Sequence, residues 1–271
     1  MATRTQEKDY LAVAKKKVKR ARDFPFLAKM LIYGRKKKGK TTFATSAGVE
    51  NTLVIDPELG AIYKRKDNPY IWPIDKWEDM QDVWGALRSG LLSPAALELG
   101  PSDEPFTWVA VDGLTRVNNM CLKYIMRTEE QRNLDRRPGI VDRRDYNKSG
   151  ELMKTMLTNF HNLPMGVIYT AQERMISADS GDSDEDEEST FFVADLPDGV
   201  RGHVNSLVDV IGRLYVTTVE IKGEQKQQRR LQLETHERYD TGYRSDFVLP
   251  SMVKYPTIPK VTKLMMEGKV Q

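Results

Sequence analysis

Leu31-Ile32-Tyr33-Gly34-Arg35-Lys36-Lys37-Lys38-Gly39-Lys40-Thr41-Thr42 is the stretch on which the reading of this chain turns. A short apolar run ends at Gly34. Gly39-Lys40-Thr41 follow after four intervening residues, and a helix-like stretch comes next. This is the pattern G-x-x-x-x-G-K-[ST] in the context it requires, a strand before and a helix after. Backbone N–H groups of such a loop turn inward around a phosphate, aided by the positive end of the helix. Lys40 is placed to reach the outer phosphates, and the Thr41 hydroxyl to ligate Mg²⁺. Gly34 through Thr42 therefore form the candidate nucleotide-binding loop. Its variable positions are unusual: Arg35, Lys36, Lys37 and Lys38 stand where small residues are commoner.

The residues around the loop predict alternating strands and helices. Ala28 to Tyr33 read as a strand and Lys40 to Val49 as a helix. Thr52 to Ile55 read as a second strand ending at Asp56-Pro57-Glu58, and Tyr70 to Trp72 as a short third. Asp75, with Glu78 three residues on, reads as a helix start. Trp77, Met80, Trp84 and Leu87 follow at helical spacing and read as core. Trp108 to Val111 are apolar throughout, as a central parallel strand is, and lead into Asp112-Gly113. A helix with Leu114, Val117, Cys121, Tyr124 and Ile125 on one face comes after it. Residues 127–149 read as a charged connector, 152–160 as a helix, and Met165 to Thr170 as a strand leading to Gln172. Beyond Leu207 the period shifts to that of strands: Val208–Ile221 and Arg230–Thr235 joined by a turn over Lys222–Gln228, with Phe247 to Leu249 closing the sheet. The expected fold class is α/β, a mostly parallel central sheet flanked by helices and extended by C-terminal antiparallel strands.

The expected organisation is a basic arm (1–23), a nucleotide-binding domain (24–252) holding an acidic low-complexity insert (179–188), and a basic irregular tail (253–271). Of the 271 residues, 39% are hydrophobic, enough for a core, while the net charge of +3 does not itself imply a nucleic-acid partner. The lone Cys121 cannot form an internal disulfide and reads as a buried, inert thiol. No apolar segment is long enough to span a bilayer, and the basic N-terminus lacks the apolar region of a signal peptide. The expectation is a cytoplasmic protein with no membrane partner.

Ligands of such sheets bind at the carboxyl ends of the strands. Asp112, after four apolar residues, is the expected acid that shares Mg²⁺ with Thr41. Hydrolysis also needs a group that activates water. Many ATPases carry a Glu directly after that acid, but Gly113 stands here. Glu58 at the end of the second strand is the best candidate base, with Asp56 as the alternative. Gln172 is placed to hydrogen-bond the γ-phosphate and respond to its loss.

This set, in this order and spacing, resembles the RecA-like ATPase core. It looks most like the compact bacteriophage RecA-like ATPases of single-strand annealing and recombination, over roughly residues 26–250. The resemblance implies ATP and Mg²⁺ as ligands, Glu58 as catalytic base and Gln172 as γ-phosphate sensor. It implies head-to-tail assembly into a filament or ring, with ATP between subunits and an arginine finger from the neighbour. Arg244 of Tyr243-Arg244-Ser245 matches the Arg of a K-x-R element, whereas Gly242 replaces its Lys. In such an assembly the Arg35–Lys38 run would face a neighbour's acids, among them those of 179–188. It also implies single-stranded DNA as partner, together with a single-strand DNA-binding protein, and a bacterial host cytoplasm. Two DNA-binding loops are expected. The first is the connector, with Arg136, Arg137, Arg143, Arg144 and Lys148 on phosphates and Tyr146 stacking on bases. The second, 173–206, departs from the pattern through its acidic insert, although Arg201 and His203 face DNA or ATP in this reading. The rival readings are a ring-forming DNA motor or helicase accessory, and a non-hydrolysing, nucleotide-gated interaction module.

Overall fold

The computed structural model describes residues 10–133, 135–178, 189–221 and 223–268. Ten strands form one continuous set of pairings: β1 (Lys29–Gly34), β2 (Thr52–Asp56), β3 (Tyr70–Pro73), β4 (Trp108–Asp112), β5 (Gly166–Ala178), β6 (Ser189–Ala194), β7 (Val210–Ile221), β8 (Glu224–Gln232), β9 (Gly242–Tyr243) and β10 (Met252–Lys254). The helices are α1 (Tyr10–Lys17), α2 (Lys40–Ala44), α3 (Asp79–Arg88), α4 (Leu114–Arg132), α5 (Arg143–His161), α6 (Asp198–Leu207) and α7 (Ile258–Glu267).

The strand order is β10-β8-β7-β1-β5-β4-β2-β3. From β7 to β3 all neighbours are parallel, while β8 and β10 extend the sheet antiparallel. This is the mostly parallel α/β sheet with an antiparallel extension that the sequence predicts. Because side chains alternate along a strand, β1 feeds two cores. Leu31 and Tyr33 pack with Val109, Val111, Val167 and Tyr169 beneath α3, α4, α5 and α6. Met30 and Ile32 pack with Ala110, Ile168 and Leu231 beneath α2 and α7. Burial on both faces explains why β1, β2 and β4 are continuously apolar rather than alternating.

Several expectations need correction. The helix after the loop is only Lys40–Ala44. The next helix begins at Asp79 rather than Asp75, and the Asp79 carboxylate accepts from the backbone N–H groups of Asp75 and Lys76 at 2.8 and 3.0 Å. The connector is shorter than 127–149: α4 continues to Arg132 and α5 starts at Arg143. β5 runs past Gln172 to Ala178 and pairs antiparallel with β6, so much of 173–206 is strand pair and helix rather than loop. The acidic insert 179–188 joins those two strands and lies outside the described residues.

β7 and β8 pair from Ile221↔Glu224 onward, so Lys222–Gln228 is not one long turn. Phe247 to Leu249 form no strand, and β10 closes this edge instead. Residues 253–268 are not an irregular tail. Thr257 caps α7 by accepting from Lys260 N at 3.3 Å, and Gly268 ends it in the left-handed conformation. Ile258, Val261, Leu264 and Met265 are buried along one face of α7, against the sheet. In contrast, α1 carries no buried residue.

Candidate functional site

Four parallel strands bring the expected residues to one end of the sheet. Pairing register sets Gly34 of β1 beside Gln172 of β5, and Thr170 of β5 beside Asp112 of β4. β2 lies against β4 and delivers Asp56 and Glu58 to the same end. The cleft there has a volume of about 510 Å³ and is lined by Lys36, Lys37, Lys40, Thr41, Asp112 and Gln172, among others.

The loop geometry follows from its glycines. Gly39 has φ +97°, and a β-carbon on Gly34 would lie 2.2 Å from the Leu214 carbonyl oxygen, so no larger residue fits there. Lys37 is also left-handed, at φ +60°. Lys36 and Lys37 line the cleft and Lys38 does not, while Thr42 does. Arg35 turns away from the cleft and donates to Glu173 Oε1 at 3.2 Å.

Lys40 is buried and donates to the carbonyls of Gly34 (2.8 Å) and Arg35 (3.1 Å) and to Gln172 Oε1 (3.3 Å). Burial lowers its pKa, opposed by the carboxylates of Asp112, Glu58 and Glu173. Thr41 Oγ1 donates to Asp112 Oδ2 at 2.6 Å, and Thr170 Oγ1 to Asp112 Oδ1 at 2.7 Å. Burial raises the Asp112 pKa; the two hydroxyl bonds oppose this, and nearby Asp56 adds to it. A hydroxyl and a carboxylate held together beside the phosphate loop form a hard-oxygen donor pair that fits Mg²⁺, which takes most of its remaining ligands from phosphate and water. Among the described residues no group of three or more His, Cys, Asp or Glu forms a protein-only metal cage.

Asp56 and Glu58 separate cleanly. Asp56 is buried and its oxygens accept from the N–H groups of Glu58 (3.1 Å) and Ala61 (2.6 Å). It is a turn-capping carboxylate with both oxygens engaged. The Glu58 side chain is exposed and borders the cleft. Gly113 lies beside it: its φ is +131°, and a β-carbon there would crowd Pro57 Cγ at 3.3 Å, while Glu58 Cδ stands 3.8 Å away.

Gln172 is connected on three sides. Its amide oxygen accepts from Lys40, its N–H donates to Thr115 Oγ1 at 3.1 Å, and its carbonyl accepts from Asp195 N at 2.8 Å. Thr115 Oγ1 in turn donates to the Asp195 carbonyl at 3.0 Å. The Gln172 backbone is thereby fixed to the start of α4 and to the residue just after β6.

The remaining expected residues lie elsewhere. Arg244 is exposed at the amino end of the sheet, where its backbone N–H donates to Asp209 O and its guanidinium to Ser206 O at 2.7 Å. It does not join its own chain's cleft. Arg136 makes a two-point contact with buried Asp145 and donates to Ile140 O at 3.1 Å. Lys148 pairs with Glu129 at 2.7 Å. Arg137, Arg143, Arg144 and Tyr146 are exposed, the last three on the first turn of α5 rather than in a loop. Arg201 pairs with Asp198 at 3.0 Å, and His203 Nε2 meets Thr158 Oγ1 at 3.0 Å, so both serve packing around α6.

Three residues were missed. Thr170 fixes the second oxygen of Asp112. Glu173, only 3% exposed, bridges Arg35 and Arg213 (2.5 Å) and so ties the phosphate loop to β7. The Arg229 side chain of β8 lies against Gly39, its Cδ 2.7 Å from where a β-carbon would stand. The sequence holds no local signal for Arg229, since contact with the loop depends on β8 folding back along β7.

No curated protein matches this chain. Among solved structures, a KaiC-like protein from the hyperthermophilic archaeon Pyrococcus horikoshii OT3 is similar, with 13% identity and a TM-score of 0.41 over 86% of this chain and 91% of that one. A family model described as AAA domain matches residues 27–245, the greater part of the chain and all of the cleft just described, and the chain belongs to that family.

Proposed function

We propose that this protein is a RecA-like ATPase that hydrolyses ATP and acts on single-stranded DNA in recombination or annealing, as a head-to-tail oligomer. The observation that carries the ATPase reading is the convergence of Lys40, the Thr41–Asp112 pair, Gln172 and Glu58 on one cleft, from four strands.

In this reading the loop N–H groups and Lys40 hold the β- and γ-phosphates, and Lys40 exchanges its present carbonyl acceptors for phosphate oxygens. Thr41 and Asp112 would hold Mg²⁺, which neutralises charge on the phosphates when bound. The Glu58 carboxylate accepts a proton from the attacking water as its oxygen bonds to the γ-phosphorus. The bond from the γ-phosphorus to the bridging oxygen breaks, giving ADP and phosphate. The Gln172 amide hydrogen-bonds the γ-phosphate, and its release after hydrolysis passes to Thr115 and Asp195. Arg244, remote from its own cleft, is available only to a neighbouring subunit.

The test is phosphate release with and without oligo(dT), across a salt series. The expected result is Mg²⁺-dependent hydrolysis that single-stranded DNA accelerates at low salt and high salt suppresses. Hydrolysis indifferent to DNA at every salt concentration would remove the DNA part of the proposal. Absence of hydrolysis by wild-type protein would remove the enzymatic part.

A further inference from the structure

The cations of the connector are partly consumed within the fold, but Arg116, Lys123 and Arg127 of α4 are not. Arg116, Asn119, Lys123 and Arg127 are all exposed and follow one another at intervals of three and four residues, so they share one face of the helix. The opposite face, with Leu114, Val117, Cys121 and Ile125, is buried. Among the described residues the ion pairs around this helix engage Glu129, Arg132, Arg136 and Lys148, and none engages Arg116, Lys123 or Arg127.

Two clefts border this face and meet at Arg116. One, of about 550 Å³, contains Arg35, Lys36, Glu58, Arg116, Asn119 and Gln172, and so opens directly from the phosphate cleft. The other, of about 330 Å³, contains Lys76, Arg116, Lys123 and Arg127 together with the half-buried rings of Trp77 and Tyr124. Carboxylates are present but weakly opposed to the stripe. In the first cleft Glu173 is taken up by Arg35 and Arg213, Asp195 lies 3.9 Å from Arg174, and Glu58 is an exposed carboxylate at the phosphate-cleft end. In the second, Asp75 and Glu78 face four cations.

We infer that the groove along α4, rather than the connector, seats the single strand. Its phosphates lie on Arg116, Lys123 and Arg127, and bases turn toward Trp77 and Tyr124. The inference rests on the proposed single-stranded DNA substrate and names its place. Alternating cations and aromatic rings are the chemistry that single strands require, charge for the backbone and flat faces for the bases. From Arg116 to Arg127 the stripe is about 17 Å long at the helical rise. The groove also supplies a short route between DNA and nucleotide. Arg116 adjoins Thr115, whose hydroxyl accepts from Gln172 N and donates to Asp195 O. A strand pulled onto Arg116 thus bears on the residue that holds the γ-phosphate sensor.

The test compares two charge-reversed variants of the full chain: Lys123→Glu with Arg127→Glu, and Arg137→Glu with Arg144→Glu. Binding of fluorescent oligo(dT) is followed by anisotropy with Mg²⁺ and a non-hydrolysable ATP analogue, over a salt series. The melting midpoint of each variant is measured alongside to confirm folding. The expected result is that the α4 variant binds at least about tenfold more weakly, and that its log–log salt slope falls by about 0.7 for each lost phosphate contact. The connector variant should bind within about twofold of wild type. Equal losses in both variants, or a larger loss in the connector variant, would overturn the α4 site while leaving DNA binding intact. Failure of wild-type protein to bind oligo(dT) at low salt would overturn the substrate reading and the groove with it. If the α4 variant melts well below wild type, Lys123→Gln with Arg127→Gln takes its place, judged by the same criteria.

Discussion

The phosphate cleft and the arginine-rich connector are both rich in charged residues, and they use them in opposite ways. In the cleft, Lys40 of α2 holds Gln172 of β5, and Thr41 holds Asp112 of β4, around an open volume. In the connector, Arg136 and Lys148 close on Asp145 and Glu129 and knit the ends of α4 and α5 together. One region turns its charge toward an open space, the other toward its own carboxylates. The difference teaches that a basic run acquires a function only through what lies within a few ångströms of it after folding. Asp145 illustrates this: buried beneath Arg136, its carboxyl is held below the usual range chiefly by the hydrogen bonds from that guanidinium.

Glu58→Gln is expected to have the largest effect on this contrast. It removes the proton acceptor while leaving the phosphate loop intact, so hydrolysis should fall about 10²–10⁴-fold with nucleotide affinity kept. Stopped turnover together with retained binding of a fluorescent nucleotide would assign Glu58 as base. A near-normal rate would move that role to another residue. Lys40→Ala should follow, with hydrolysis reduced about 10²–10³-fold and nucleotide binding weakened as well. That pairing of losses separates a phosphate-holding group from a proton acceptor.

Arg136→Ala works on the other side of the comparison. It strands the buried Asp145 carboxylate, so the melting midpoint should drop by several degrees while ATP affinity is unchanged. A loss of DNA binding without loss of stability would instead return Arg136 to the DNA-contacting group. The smallest effect is expected for Arg137→Ala combined with Arg144→Ala. Both side chains are exposed and unpaired among the described residues, so the melting midpoint should stay within about a degree of wild type.

The legible elements share a property: their signal is local. The phosphate loop, the apolar strands and the face of α4 are each specified within about a dozen residues. The misread elements fall into two groups. For α7, the caps Thr257 and Gly268 and the spacing of Ile258, Val261, Leu264 and Met265 were present, but hidden among lysines and prolines. For β5, nothing local distinguishes a strand that ends at Gln172 from one that continues to Ala178. Its continuation depends on β6 pairing beyond it.

What the sequence alone determined is the phosphate loop and the alternation of strand and helix that places it at a strand end. These depend on backbone sterics and hydrophobic period, which act between near neighbours. What only the tertiary structure decided is which residues stand beside that loop. The order β1-β5-β4-β2 seats Gln172 against Lys40 and sets Thr170 on Asp112. It also sets β2 against β4, so that Glu58 borders the same cleft as Asp112. Strand order arises from the burial of two sheet faces at once, a condition on the whole chain that no short stretch contains.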